Sequence, residues 1–143
     1  VARDKVVLIE QFRIGAITDK MSPWLFEIVA GIVDKNGESI ATMAKRELQE
    51  ETGLISKNLE FIMQYWVSPG ASNERLSLYW SDVDSSKAAE FCGLRAEHED
   101  IKVHVVSSEE AFALINDGVI CNSLAIIALQ WLQLNKHNLK SIG

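Results

Sequence analysis

The sequence predicts a single domain of the α/β class. Three observations predict it. Short apolar runs of strand length recur at residues 6–9, 24–30, 59–67, 75–83 and 101–106. Residues 39–53, 108–117 and 122–135 carry helical apolar spacing or helix-forming composition, with capping residues at their ends. The two kinds alternate irregularly, with much apparent antiparallel pairing, which points to helices layered on sheet. At 143 residues the chain is long enough to bury a real core.

Each element has a local cause. Val6-Val7-Leu8-Ile9 is a short buried-strand run, closed by Gln11-Phe12-Arg13. It begins almost at residue 1, so a preceding segment is expected to be missing or disordered. Residues 14–23 read as loop, and Trp24 to Ala30 as a second strand leading into Gly31. Ser39 caps the first helix and Gly53 ends it, with helix formers and no proline between. Residues 59–67 and 75–83 read as strands joined by Ser68-Pro69-Gly70-Ala71-Ser72-Asn73-Glu74, a good turn. Residues 84–100 form a long connection rich in charge and small residues, and loops of this length are often functional. Ile101 to Val106 is the last strand. Ser107 caps a helix from Ser108 to Asp117, with Glu109 and Glu110 in its favourable first turn, and Gly118 ends it. Leu124, Ile127, Ala128, Trp131 and Leu134 recur at helical spacing in the final helix, and the tail from His137 is expected to fray.

Composition excludes some functions. A net charge of −6 argues against nucleic acid or an anionic membrane as the main partner. An anionic substrate therefore needs a metal or a local basic patch. Cys92 and Cys121 lack metal-ligand spacing and fit a reducing compartment, hence the cytoplasm. There is no signal peptide, no apolar run long enough to span a bilayer, and no internal repeat.

The segment with the densest chemistry is residues 31–54. Glu38, Glu47, Glu50, Glu51 and Arg46 lie within it. On a helical wheel at about 100° per residue, Ile40, Ala41, Ala44 and Leu48 share one arc, while Thr42, Lys45 and Gln49 face solvent. Glu47 and Glu51 point with Ile40 and Ala44, toward the body of the protein, and Arg46 is placed to pair with Glu50. Inward carboxylates need a partner, and like charges four apart repel. A hard divalent cation such as Mg2+ resolves both problems. A solvated acidic face is the competing explanation.

The same segment resembles the Nudix box: glycine, a spacer, Glu, seven residues, then Arg-Glu-apolar-X-Glu-Glu-X-Gly-apolar. Arg46, Glu47, Leu48, Glu50, Glu51, Gly53 and Leu54 match position for position, and Glu38 keeps the seven-residue gap to Arg46. One departure exists: six residues, not five, separate Gly31 from Glu38. The extra residue falls in the turn Asp34-Lys35-Asn36-Gly37, where length is tolerated.

The resemblance implies a single Nudix domain over residues 1–143, an α/β/α sandwich around a mixed sheet. It implies Mg2+, with Mn2+ able to substitute, held by Glu47, Glu50, Glu51, Glu99 and the Ala30 carbonyl. It also implies that Arg46 orders the box carboxylates. Gln11-X-Arg13 resembles a motif of Nudix enzymes acting on nucleoside-diphosphate sugars, which implies that Arg13 helps hold the diphosphate or a box carboxylate. Separately, the Glu27-X-X-Ala30-Gly31 approach resembles one that places Glu27 near the substrate. Pro69 stands sixteen residues after Gly53, within Ser-Pro-Gly and followed by Glu74, a pattern of ADP-ribose pyrophosphatases. It places Pro69, Gly70 and Glu74 in substrate binding. In those enzymes the loop before the last strand carries the general base and a further metal ligand. By position Glu97 is assigned as base and Glu99 as ligand, with the reverse open and His98 as a third candidate.

The implied activity is Mg2+-dependent hydrolysis of ADP-ribose, or a related nucleoside-diphosphate sugar, to AMP and ribose 5-phosphate. A GDP-mannose hydrolase of the same family is the alternative. A non-catalytic binding module is a third, but no box glutamate is substituted. Members of the ADP-ribose group carry an additional N-terminal segment that helps form a homodimer, so a homodimer is expected, without nucleic acid or membrane as partner.

Overall fold

The computed structural model describes residues 4–18, 20 and 22–139. Strand β1 (Lys5–Phe12) pairs with β2 (Trp24–Glu27) on one side. On its other side lies β6 (Ile101–Ser107), which in turn pairs with the two-residue β5 (Phe91–Cys92). This four-stranded sheet runs in the order β2-β1-β6-β5. Strands β3 (Asn58–Trp66) and β4 (Arg75–Asp82) form a separate hairpin, with a bulge between Phe61 and Met63. Every pairing among the described residues is antiparallel.

Strand alternation sends successive residues to opposite faces. Leu8, Val6, Val106 and Phe26 share one face and pack with Ala111, Phe112, Ile120, Ala125 and Leu129. The last five come from α2 (Ser108–Asn116), α3 (Ser123–Asn135) and the turn between them. Ile9, Ile101 and Val103 point the other way and are equally buried. That second face meets α1 (Ile40–Thr52), which contacts β5 and β6. The result is the α/β/α layering that the resemblance implies. The mixed sheet it implies is not what the described strands form: β1 pairs only with β2 and β6, β3 with β4, and each pair is antiparallel. Burying a side chain such as Leu8 on such a face contributes about 1.5–3 kcal/mol.

The helix ends follow the capping residues. Ser39 Oγ accepts from the Thr42 N–H, and Gly53 closes α1 in the left-handed region at φ 73°. Ser107 and Glu110 form a reciprocal capping box at α2. Asn122 caps α3 and also donates to the Phe26 carbonyl, tying that helix to β2.

Beyond shifts of a few residues at element ends, two segments differ from expectation. The strand from Trp24 stops at Glu27 rather than Ala30. Beyond it the Ala30 N–H turns to the Glu51 carboxylate instead of a ladder partner. The connection 84–100 holds β5 and two short 3-10 turns, Ser85–Lys87 and Arg95–Glu97. The tail expected to fray ends outside the described residues at 140–143, and Lys136 to Asn138 form a turn.

Candidate active site

Arg46 is the hub of the box. Its Nε and Nη2 donate to the two oxygens of Glu38 at 2.9 and 3.1 Å. Its Nη1 donates to Glu47 Oε1 at 2.8 Å and to Glu50 Oε2 at 2.9 Å. One planar guanidinium thus holds three carboxylates, using the fork that lysine lacks. The hydrogen bond with Glu38 holds the guanidinium more firmly protonated and keeps the Glu38 carboxyl below its ordinary value. The longer turn before Glu38 is absorbed locally. Gly37 takes φ 80°, and the Glu38 N–H bonds the Lys35 carbonyl at 3.2 Å.

Glu47 and Glu51 face inward, as the wheel predicts, while Thr42, Lys45 and Gln49 are exposed. Glu51 is only 3% exposed. Burial pushes its carboxyl up to about 8; the Ala30 N–H opposes this, and the charges of Glu99 and Glu47 add to it. Burial likewise raises Glu47, against the pull of Arg46. Gly31 makes room for this arrangement. A Cβ there would lie 2.2 Å from Glu47 Cγ and 2.6 Å from its Oε1.

Arg13 and Glu27 form a bidentate ion pair at 2.6 and 2.7 Å. Glu27 pairs with Ile9 in the ladder, so it lies on the α1 face of the sheet. The Glu27 hydrogen bond raises the Arg13 guanidinium, and the charges of Glu51 and Glu99 add to this. Gln11 lies on the same face, opposite Ile101, and its Oε1 is buried without a partner among the described residues.

The acidic loop separates its two glutamates. His98, between them, sits in the left-handed region at φ 55°, uncommon for a residue other than glycine. Glu97 ends a 3-10 turn and is exposed. Glu99 is half-buried, and its Oε2 accepts from the Leu94 N–H at 3.1 Å. Its charge acts on Glu51, Glu47 and Arg13.

Pro69, Gly70 and Glu74 stand at the exposed tip of the β3–β4 hairpin. The tip is closed by the Val67 N–H to the Glu74 carbonyl at 3.1 Å and by two bonds to the Ser68 carbonyl at 2.9 Å. No described hydrogen bond or ion pair joins these three to the box carboxylates. A cleft of about 1210 Å³ does connect the two regions. Ala30, Gly31 and Glu47 line it from the box, and Gln64, Glu74 and Arg75 from the hairpin. Arg13, Glu51 and Glu99 do not line it.

The donor set suits a hard divalent cation: oxygen ligands, mutual repulsion, and a buried carboxyl short of partners. As placed, no three His, Cys, Asp or Glu side chains among the described residues converge on one point. Glu47 is turned onto Arg46 and Glu51 onto the Ala30 amide.

Sequence reasoning named Arg13 and Glu27 separately and missed their pairing, which only strand register reveals. It also passed over Gly93, at φ 107°, whose missing Cβ would lie 2.8 Å from Glu99 Cβ. The one available signal was a glycine inside a loop that ends in paired acids.

Fold and site together define a class: an α/β/α sandwich carrying a helix of carboxylates locked by one arginine. A NUDIX domain model matches residues 1–122, and the chain belongs to the Nudix family. It is 47% identical over 139 residues to the ADP-ribose pyrophosphatase of Escherichia coli (strain K12), covering 97% of this chain and 66% of that protein. It is 48% identical over 135 residues to the ADP-ribose pyrophosphatase of Haemophilus influenzae, covering 92% and 62%. The GDP-mannose pyrophosphatase of Pectobacterium atrosepticum is 35% identical over 130 residues, covering 90% and 66%. The chain thus spans just under two thirds of the length of these relatives. A crystal structure of an ADP compounds hydrolase shares the fold, with a TM-score of 0.72 at 21% identity, covering 94% of this chain and 70% of that one.

Proposed function

We propose that this chain hydrolyses the diphosphate bond of ADP-ribose or a related nucleoside-diphosphate sugar, giving AMP and ribose 5-phosphate. One observation carries the proposal. Arg46 gathers Glu38, Glu47 and Glu50, while Glu51 is buried within reach of the charges of Glu47 and Glu99. That many carboxylates on one face is costly unless they hold a cation. The likeness to ADP-ribose pyrophosphatases at 47% and 48% identity supports the substrate class, against 35% for a GDP-mannose enzyme.

Glu47, Glu50, Glu51, Glu99 and the Ala30 carbonyl would hold Mg2+ or Mn2+. A bound divalent ion neutralises diphosphate charge and acidifies water. The chain's own groups do the rest. Arg46 fixes the directions of the box carboxylates. Arg13, pre-ordered by Glu27, offers a guanidinium to phosphate oxygens. Glu97 is exposed and takes the proton from the attacking water at a carboxylate oxygen. Glu99 is half-buried and its charge acts on Glu47 and Glu51, which favours it as ligand over base. Pro69, Gly70 and Glu74 approach the substrate from the hairpin across the cleft.

The remaining assignments are part of the same proposal: a single catalytic domain acting as a homodimer in the cytoplasm, with neither nucleic acid nor membrane as partner. Among the described residues no helix is long and apolar enough to cross a membrane. Mass measurement in solution tests the dimer. The activity is tested by incubating the purified chain with ADP-ribose and Mg2+. AMP and ribose 5-phosphate are expected in equal amounts, with EDTA stopping the reaction. A folded sample that releases neither product contradicts the proposal.

A further inference from the structure

The acidic loop is fastened to the box helix by its backbone. The last carbonyls of a helix have no partner within it. In α1 two of them are taken by the connecting segment: the Ala89 N–H bonds the Thr52 carbonyl at 3.0 Å, and the Gly93 N–H bonds the Glu50 carbonyl at 3.3 Å. At Gly93 the chain then turns through φ 107°, a region side chains rarely adopt. Glu99 packs directly against it. A Cβ on Gly93 would meet Glu99 Cβ at 2.8 Å and the Glu99 carbonyl oxygen at 2.9 Å. The neighbouring bonds close the loop as a unit: Glu99 N–H to the Leu94 carbonyl at 3.2 Å, and Leu94 N–H to Glu99 Oε2 at 3.1 Å.

We propose that Gly93 is a positioning residue: its N–H caps Glu50 while its bare Cα lets Glu99 approach, which sets the loop carboxylate against the box helix. The link runs from a box residue through one glycine to a carboxylate outside the box, and it rests on the function proposed above. Any side chain at position 93 meets backbone atoms of Glu99, so it cannot be relieved by a rotamer change. It also places an L-residue at a strained φ. Both effects move Glu99 away from Glu47 and Glu51.

The test uses Gly93→Ala, Glu99→Gln and the double variant, each checked for folding by circular dichroism. Mn2+ affinity is read by electron paramagnetic resonance of the free ion, without substrate. Gly93→Ala is expected to weaken Mn2+ binding about 10–100-fold, the range for residues that orient metal ligands. In the Glu99→Gln background it is expected to add little, because both changes act through one carboxylate. Turnover should fall with KM for ADP-ribose nearly unchanged. If Gly93→Ala does not fold, Gly93→Asn replaces it, because asparagine tolerates positive φ better than other L-residues while its Cβ still meets Glu99. A folded variant with normal Mn2+ affinity, or losses that add fully to those of Glu99→Gln, overturns the proposal. Failure of the wild type to cleave ADP-ribose while it binds Mn2+ defeats the substrate assignment instead, and leaves the Mn2+ comparison to decide Gly93.

Discussion

The Glu47 side chain occupies the space that a Cβ on Gly31 would take, with Cγ 2.2 Å and Oε1 2.6 Å from that point. Gly31 is therefore required for the direction of Glu47 rather than for a turn. Gly31→Ala is expected to leave the fold intact and lower kcat about 100-fold, the scale of an ångström-size misplacement at a site. Steady-state kinetics alongside a thermal melt separate the two effects.

Arg46 holds Glu38, Glu47 and Glu50 with four hydrogen bonds from one planar group. A lysine keeps the charge but cannot keep the fork. Arg46→Lys is expected to lower kcat/KM about 10–100-fold, the cost typical of losing a group that orients ligands. A variant with wild-type kcat/KM would show that charge alone suffices.

Glu51 gives the metal-free chain a pH-dependent stability. Its folded-state carboxyl titrates at about 8, against an ordinary 4.5. Between those values the folded chain binds more protons than the unfolded one, so stability falls as pH rises. The contribution is complete below the lower value and lost above the upper one. Glu47 is raised in the same direction. In EDTA, the melting temperature should drop across this window, and Glu51→Gln should flatten the drop. An equal slope in both proteins contradicts the assignment.

Glu97 and Glu51 should fail in different ways. Glu97→Gln is expected to lower kcat about 10²–10⁴-fold, as for loss of a general base, with metal affinity nearly unchanged. Glu51→Gln should weaken metal binding itself. Isothermal titration with Mn2+ and turnover measured at saturating metal distinguish them. A Glu97→Gln enzyme of near-normal kcat moves the base elsewhere.

The box helix was legible because its causes are local. Ser39 and Gly53 end it as their side-chain chemistry dictates, and helical spacing alone sends Glu47 and Glu51 inward. The pairing of Arg46 with Glu50 follows from the same spacing, whereas its bond to Glu38 depends on how the preceding turn folds back. The Arg13–Glu27 pair depends on the register of β1 against β2, which no local pattern states. Glu97 and Glu99 are told apart in sequence only by position, with the reverse assignment open. The left-handed backbone at His98 separates them, and histidine carries no signal for that. Gly93 left only a weak signal for a related reason: its close approach to Glu99 exists only once the loop is folded. The hairpin tip was recognised by resemblance, yet it belongs to a separate sheet and meets the box only across the cleft.

The central claim is tested most directly by comparing kcat/KM for ADP-ribose and GDP-mannose at the same Mg2+ concentration. The higher identity to ADP-ribose pyrophosphatases predicts that ADP-ribose is cleaved with the higher value, releasing AMP. Faster cleavage of GDP-mannose, or no cleavage of either by folded protein, would contradict it.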